Sequence, residues 1–216
     1  MLIGKFVLVA VIGYLIGSIP FGLIVSKVKS NIDIRNYGSG KTGGTNVLRT
    51  MGRKAFVAVA SLDIAKGALA VVFAGLIVGN EHMMVGNSGM GLLFARVIAA
   101  LAAVIGHIWP IFVKFKGGRG VATFIGGLLA LYPPAGLLGS EALIIGAGLS
   151  GFASLGSIIG LVSAYAILIP LTVIYGFPIE YLGYVLIGTL LIIFVHRDNI
   201  KRLLSGRERK LNQKSG

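Results

Sequence analysis

Most of this chain consists of apolar stretches about as long as a bilayer is thick, separated by three short segments rich in glycine and basic residues. That alternation leaves few folds open. The hydrocarbon core offers no water to satisfy backbone N–H and C=O groups, so a chain crosses it as helices or as a closed barrel. Continuous apolar runs near 20 residues belong to helices. Mean hydropathy is +0.91 and 12% of residues are charged, against about 25% in soluble domains. The expected fold is all-α: a polytopic integral membrane helical bundle forming one domain over residues 1–216, with no room for a separate soluble domain. Cysteine is absent, which removes disulfides, thiolate metal sites and a cysteine nucleophile. The apolar run 6–19 has no small-residue cleavage site after it and reads as a retained first span.

A net charge of +13 could point to nucleic acid, but its distribution argues for a membrane and against that partner. Seventeen of the 20 lysines and arginines fall in three places. Residues 26–54 carry Lys27, Lys29, Arg35, Lys41, Arg49, Arg53 and Lys54; residues 114–120 carry Lys114, Lys116 and Arg119. The tail carries Arg197, Lys201, Arg202, Arg207, Arg209, Lys210 and Lys214. The connections near 80–90, 133–136 and 176–180 carry none. This asymmetry is the positive-inside pattern and places all three basic segments in the cytoplasm.

Parity then counts the spans. Clear ones cover about 3–25, 55–79 and 91–113, so the N-terminus is expected outside. Residues 121–195 must cross an even number of times if the basic tail is cytoplasmic. Breaks at Pro133-Pro134, 151–156 and 176–178 give four pieces, 121–132, 135–150, 154–175 and 179–195, and about seven spans in all. The first two pieces are short for full crossings, and a re-entrant hairpin there keeps the same parity. The many glycines within the spans, Gly13, Gly17, Gly22, Gly126 and Gly127 among them, suit close helix packing.

The polar segments carry the chemistry. Residues 38–49 read GSGKTGGTNVLR. Gly40-Lys41-Thr42 resembles the end of a nucleotide-binding P-loop, but the required glycine five positions earlier is Arg35, which excludes ATP binding. Consecutive glycines still expose N–H groups to an anion, and Ser39, Thr42, Thr45 and Arg49 add donors. Residues 106–123 read GHIWPIFVKFKGGRGVAT, with Trp109 and Phe112 at the interface and Lys116-Gly-Gly-Arg-Gly120 opening a helix, where an anion is favoured. His107, in an apolar flank, is expected to be a hydrogen-bonded packing residue. In residues 196–202, HRDNIKR, His196 and Asn199 would share a helix face; the following basic residues suit anionic headgroups. Asp63 and Lys66 are expected to neutralise each other within the second span. Ser154 and Ser157 could cap a helix or touch substrate. Three histidines with no carboxylate cluster argue against a metal site.

Together these segments resemble the signatures of the bacterial acyl-phosphate:glycerol-3-phosphate acyltransferases of the PlsY type. Residues 38–49, 106–123 and 196–208 approximate the three motifs, and GSIPFG at 17–22, LDIAKG at 62–67 and SLGS at 154–157 are similar too. Lys41 and Thr42-Gly-Gly44 depart from the usual Asn and Pro-Gly-Ala, and Glu141 in the fifth span has no counterpart in this reading. The resemblance implies transfer of a fatty acyl group from acyl phosphate to the 1-hydroxyl of glycerol 3-phosphate, giving 1-acylglycerol 3-phosphate and phosphate, a first step of phospholipid synthesis. It implies catalytic roles for Ser39, Arg49, Lys116, His196 and Asn199. It implies substrate binding by Thr45, Asn46, Gly117, Gly118, Arg119, Gly120 and Glu208, with holding the tail in place the alternative role for Glu208. No metal or cofactor is expected. The substrate's own phosphate is the expected base, with His196 the second choice. The enzyme would sit in the bacterial plasma membrane with its site on the cytoplasmic face, in contact with membrane lipids and coupled to a soluble acyl-phosphate-forming enzyme. The rivals are an organophosphate or phosphate transporter and a non-catalytic scaffold for anionic lipids.

Overall fold

A computed structural model describes residues 2–85 and 88–213; Lys214 of the basic tail lies outside them. Helices α1 (Leu2–Gly17) and α2 (Phe21–Ser30) follow one another across a break at Pro20, whose missing N–H and bulky ring interrupt the hydrogen-bond ladder. Asn31, at φ 52°, ends α2 in the left-handed conformation and returns its N–H to Lys27. A 3₁₀ turn at Ile34–Asn36 leads to α3 (Gly44–Met51) and α4 (Arg53–Val78). The region expected to be a basic loop, 26–54, is therefore largely helical. Its glycines mark the turns between short helices.

Strands β1 (Met83–Val85) and β2 (Ser88–Met90) pair antiparallel, with Met83 opposite Met90. This small hairpin is the one departure from all-α architecture among the described residues. Then come α5 (Leu92–Ile108), a 3₁₀ turn at Ile111–Val113, α6 (Val121–Leu131) and α7 (Pro133–Ser150). Pro133 opens α7 where its missing N–H costs nothing. Finally α8 (Ala153–Tyr175), α9 (Ile179–Val195) and the short α10 (Arg197–Leu204) complete the bundle.

Four stretches are long and apolar enough to cross a membrane: Leu2–Ser30, Arg53–Val78, Leu92–Val113 and Ala153–Tyr175. A fifth joins them if Ile179–Val195 and Arg197–Leu204, bent by 63°, count as one. All seven expected apolar pieces form helices. The 11 residues of α6, however, span only about 16 Å at 1.5 Å each, about half the hydrocarbon thickness.

Glycines hold the bundle together as expected. A Cβ on Gly17 would collide with Ala103, and one on Gly126 with the carbonyl of Ile64, so α1 meets α5, and α4 meets α6, backbone to backbone. The largest core cluster includes Val104, Phe124, Leu128, Leu161 and Tyr184. Phe124 and Tyr184 stack at 4.9 Å, and the buried Tyr184 hydroxyl donates to the Phe124 carbonyl at 2.8 Å. That packing fixes α6 against α5 and α9, just beneath the cavity described next.

Candidate active site

The three basic segments, far apart in sequence, converge on one end of the bundle around a cavity of about 440 Å³. Segment one contributes Ser39, Lys41 and Arg49; segment two contributes Gly118 and Arg119; the tail contributes Arg197, Asn199, Arg202 and Arg209. Asp198 and Glu208 supply the opposing charge, and Trp109, Phe115 and Phe194 give apolar wall. The balance is strongly cationic, as a chamber for phosphate requires.

Specific hydrogen bonds hold the first loop, Arg49 and Asn199 in place around the cavity. Asn46 is buried, and its amide donates to the carbonyls of Ile34, Tyr37 and Lys41 while its Oδ1 accepts the Ser39 N–H at 2.9 Å. Asn46 therefore shapes the first loop and aims Ser39 without lining the cavity itself. Arg49, in the last turn of α3, donates to the carbonyls of Arg209 at 2.7 Å and Lys210 at 3.2 Å. Burial lowers the pKa of Arg49, and that of Arg119 to about 10, well above neutrality; the guanidinium is intrinsically so basic that arginines stay cationic in proteins.

The tail folds back as a strap, and Glu208 anchors it. Its carboxylate accepts from Ser154 Oγ at 2.9 Å and Asn199 Nδ2 at 2.5 Å, and pairs with Arg202 at 2.8 Å. The Leu211 N–H donates to the Gly151 carbonyl at 2.8 Å. Burial tends to raise the Glu208 pKa, but hydrogen bonds from Asn199, Arg202 and Ser154 outweigh it and hold the group below the ordinary carboxylate value. A carboxylate so depressed contributes stability that is fully present above its unfolded pKa of about 4.3 and is lost as pH falls through the lower folded value. Amide protection factors across residues 207–211 should thus hold steady from neutrality down to about pH 5 and fall below about pH 4. Protection that declined between pH 8 and 6 would contradict this anchor.

The remaining expected residues stand as follows. Lys116 is exposed and stands just outside the cavity lining, next to the wall residue Phe115; Lys114 and Phe115 before it are both left-handed, at φ 56° and 60°. The Gly117 and Gly118 amides are committed to the carbonyls of Ile108 and His107, so they cannot also cradle an anion. Gly120, at φ 81°, caps α6, and of the turn 116–120 Gly118 and Arg119 line the cavity. Thr45 lies in the first turn of α3, outside the cavity wall. His196 and Asn199 are both buried, three residues apart at the start of α10. His196 is the buried joint of the α9–α10 bend, its Nδ1 2.8 Å from the Ile192 carbonyl, whereas Asn199 lies on α10. Ser154 binds Glu208 and Ser157 back-bonds to Ala153, so neither caps a helix. Arg202 and Arg209, assigned to lipid headgroups, line the cavity instead. Arg202 stands three residues after Asn199, a spacing that could have revealed it.

The fold and site define a helical membrane protein with a strongly cationic chamber at one end of its bundle. The chain belongs to the glycerol-3-phosphate acyltransferase family, whose family model matches residues 7–206. It is 66% identical over 215 residues, all of both chains, to glycerol-3-phosphate acyltransferase 3 of Dehalococcoides mccartyi (strain CBDB1). It is 44% identical to the glycerol-3-phosphate acyltransferase of Thermoanaerobacter sp. (strain X514), covering 97% of each. Among solved structures it resembles the glycerol 3-phosphate form of the integral membrane acyltransferase PlsY, with TM-score 0.81, 35% identity and coverage of 95% and 94%. The lysophosphatidic acid form matches with TM-score 0.80 and 34% identity.

Proposed function

We propose that this protein transfers a fatty acyl group from acyl phosphate to the 1-hydroxyl of glycerol 3-phosphate, releasing acylglycerol phosphate and phosphate. The observation that carries the reading is one strongly cationic cavity, built from all three basic segments, in a chain whose relatives are glycerol-3-phosphate acyltransferases. Both reactants are phosphates. Arg49, Arg119 and Arg202 supply charge for two of them, Ser39 and Asn199 supply neutral donors, and Trp109, Phe115 and Phe194 offer apolar contact to an acyl tail.

In the reaction the hydroxyl oxygen bonds to the acyl carbonyl carbon, the carbon–oxygen bond to phosphate breaks, and the leaving phosphate takes the hydroxyl proton. The mixed anhydride is already activated, so the protein need only hold the two reactants and stabilise charge, with positioning alone worth up to about 7–11 kcal/mol. The Ser39 side chain makes no hydrogen bond to a histidine or carboxylate among the described residues, which fits a binding rather than a nucleophilic role. His196 is buried in the joint rather than set in the cavity wall, which favours the substrate phosphate as proton acceptor.

The basic end of the bundle is the cytoplasmic face in this reading, with the N-terminus outside and the tail inside the bacterial plasma membrane. Gly151, between α7 and α8, binds the tail at the cavity end, so the chain leaves that end and returns to it twice after α5. This supports even parity over 121–195. The short α6 favours a re-entrant α6–α7 pair over two complete crossings, so that about seven helical passes need not all be full spans. A transporter would instead place its site near the bilayer midplane. Purified protein offered glycerol 3-phosphate with acyl phosphate, acyl-CoA or acyl carrier protein should form lysophosphatidic acid from acyl phosphate. Uptake of labelled glycerol phosphate into liposomes without lipid product would overturn the reading.

A further inference from the structure

Beneath the cavity lies a second polar cluster that the reaction does not use directly. Asp63 and Lys66 of α4 have side chains 2% and 3% exposed and pair at 2.8 Å. His107, at the end of α5, is 6% exposed and sets its Nδ1 3.4 Å from Asp63 Oδ1 and 3.1 Å from the Thr123 hydroxyl in the first turn of α6. Lys66 also donates to the Ile19 carbonyl at 2.9 Å, at the break between α1 and α2, and lies 5.6 Å from the Phe21 ring centre. The space among these side chains is too small to hold a water molecule.

The far side of the same imidazole meets the cavity wall. A Cβ built on Gly118 would collide with Nε2 of His107, and the Gly118 N–H donates to the His107 carbonyl at 3.1 Å. Gly118 is thus gripped by His107 through both ring and backbone, and it immediately precedes the cavity cation Arg119. The first loop is tied to the same cluster from the other side. A Cβ on Gly22 of α2 would strike the carbonyl of the buried Thr42, and Gly43 approaches Gly118, its Cβ position 3.8 Å from the Gly118 Cα.

We infer that Asp63, Lys66, His107 and Thr123 form a positioning cluster that sets where Gly118 and Arg119 stand against the first loop, and so fixes the phosphate of glycerol 3-phosphate. This rests on the proposed reaction, with the second segment serving the acceptor. The four residues touch no reactant; they act through Gly118. An apolar cluster of equal volume would pack as well, but it would not orient the imidazole that defines the loop.

The test is a kinetic split. Thr123→Val keeps the shape and deletes the partner of His107, while His107→Phe keeps a ring and deletes both nitrogens. Each is expected to raise the glycerol 3-phosphate KM about tenfold or more, with kcat and the acyl phosphate KM within about threefold. His107→Gln, which can still reach Thr123 or Asp63, should recover part of the loss. Asp63→Asn combined with Lys66→Met removes both charges together, leaves no orphan ion to unfold the protein, and should show the same split. Variants that melt lower yet keep the wild-type glycerol 3-phosphate KM, or that shift both KM values equally, overturn the proposal. So does a glutamine variant no better than phenylalanine. A wild-type protein that forms no acylglycerol phosphate would refute the reaction itself, whereas active wild type with unmoved variants refutes only the positioning role.

Discussion

Arg49→Ala should lower kcat/KM for acyl transfer by about 10²–10³-fold, the scale of losing one preorganised charged donor, while the melting temperature moves by no more than a few degrees. Arg49 reaches the cavity from α3 and is held there by the carbonyls of Arg209 and Lys210. Its guanidinium stays charged despite burial, and its planar fork suits a phosphate. The two hydrogen bonds to the strap are exposed, so their loss costs the fold little. Arg49→Lys keeps charge but not the fork and should remain well below wild type. Steady-state kinetics beside thermal melts check both parts. A kcat/KM within threefold of wild type would remove Arg49 from the site.

Glu208→Ala should be the most damaging single change to the strap and to turnover together. It strands Ser154, Asn199 and Arg202 at once, and although Arg202 is partly exposed and can be rehydrated, the hydrogen-bond donors of Ser154 and Asn199 lose their acceptor at about 1–3 kcal/mol each. The strap would then release the carbonyls that hold Arg49, and Asn199 would lose its orientation at the cavity wall. The expected result is near-complete loss of activity with rapid proteolysis after residue 206, the membrane helices staying folded. Glu208→Gln keeps the shape and part of the hydrogen bonding and should fall in between. Full activity in the alanine variant, with the tail still protected, would show that the strap serves some other end.

The membrane class, the helices and the three segments that build the cavity were legible in the sequence because each rests on local or compositional physics. Apolar runs near bilayer length are helices, glycines amid them pack, and basic segments gather on one side. The Asp63–Lys66 pair was legible from its spacing on one helix. Roles inside the segments were not, because they depend on the path of the backbone. Asn46 looked like a ligand and holds the first loop through its side-chain amide; Lys116 looked like a phosphate contact and stands exposed beside the wall residue Phe115, after two left-handed residues. His196 looked like a partner of Asn199 and is the joint of a 63° bend. Arg202 and Arg209 looked like lipid contacts because nothing in a basic tail announces that one glutamate will fold it back. His107 read correctly as a hydrogen-bonded packing residue, but its grip on Gly118 emerges only when α5 and the glycine turn are seen together. The exposed Glu141 on α7 has no explanation in the structure.

At the centre of this account is one chamber that holds both phosphates at the same time, with the acyl group passing directly between them. Initial rates measured over a grid of acyl phosphate and glycerol 3-phosphate concentrations test it most directly. Direct transfer predicts intersecting reciprocal plots and no phosphate release when the acceptor is withheld. Parallel plots, with a stoichiometric burst of phosphate and an acylated protein in the absence of glycerol 3-phosphate, would contradict it.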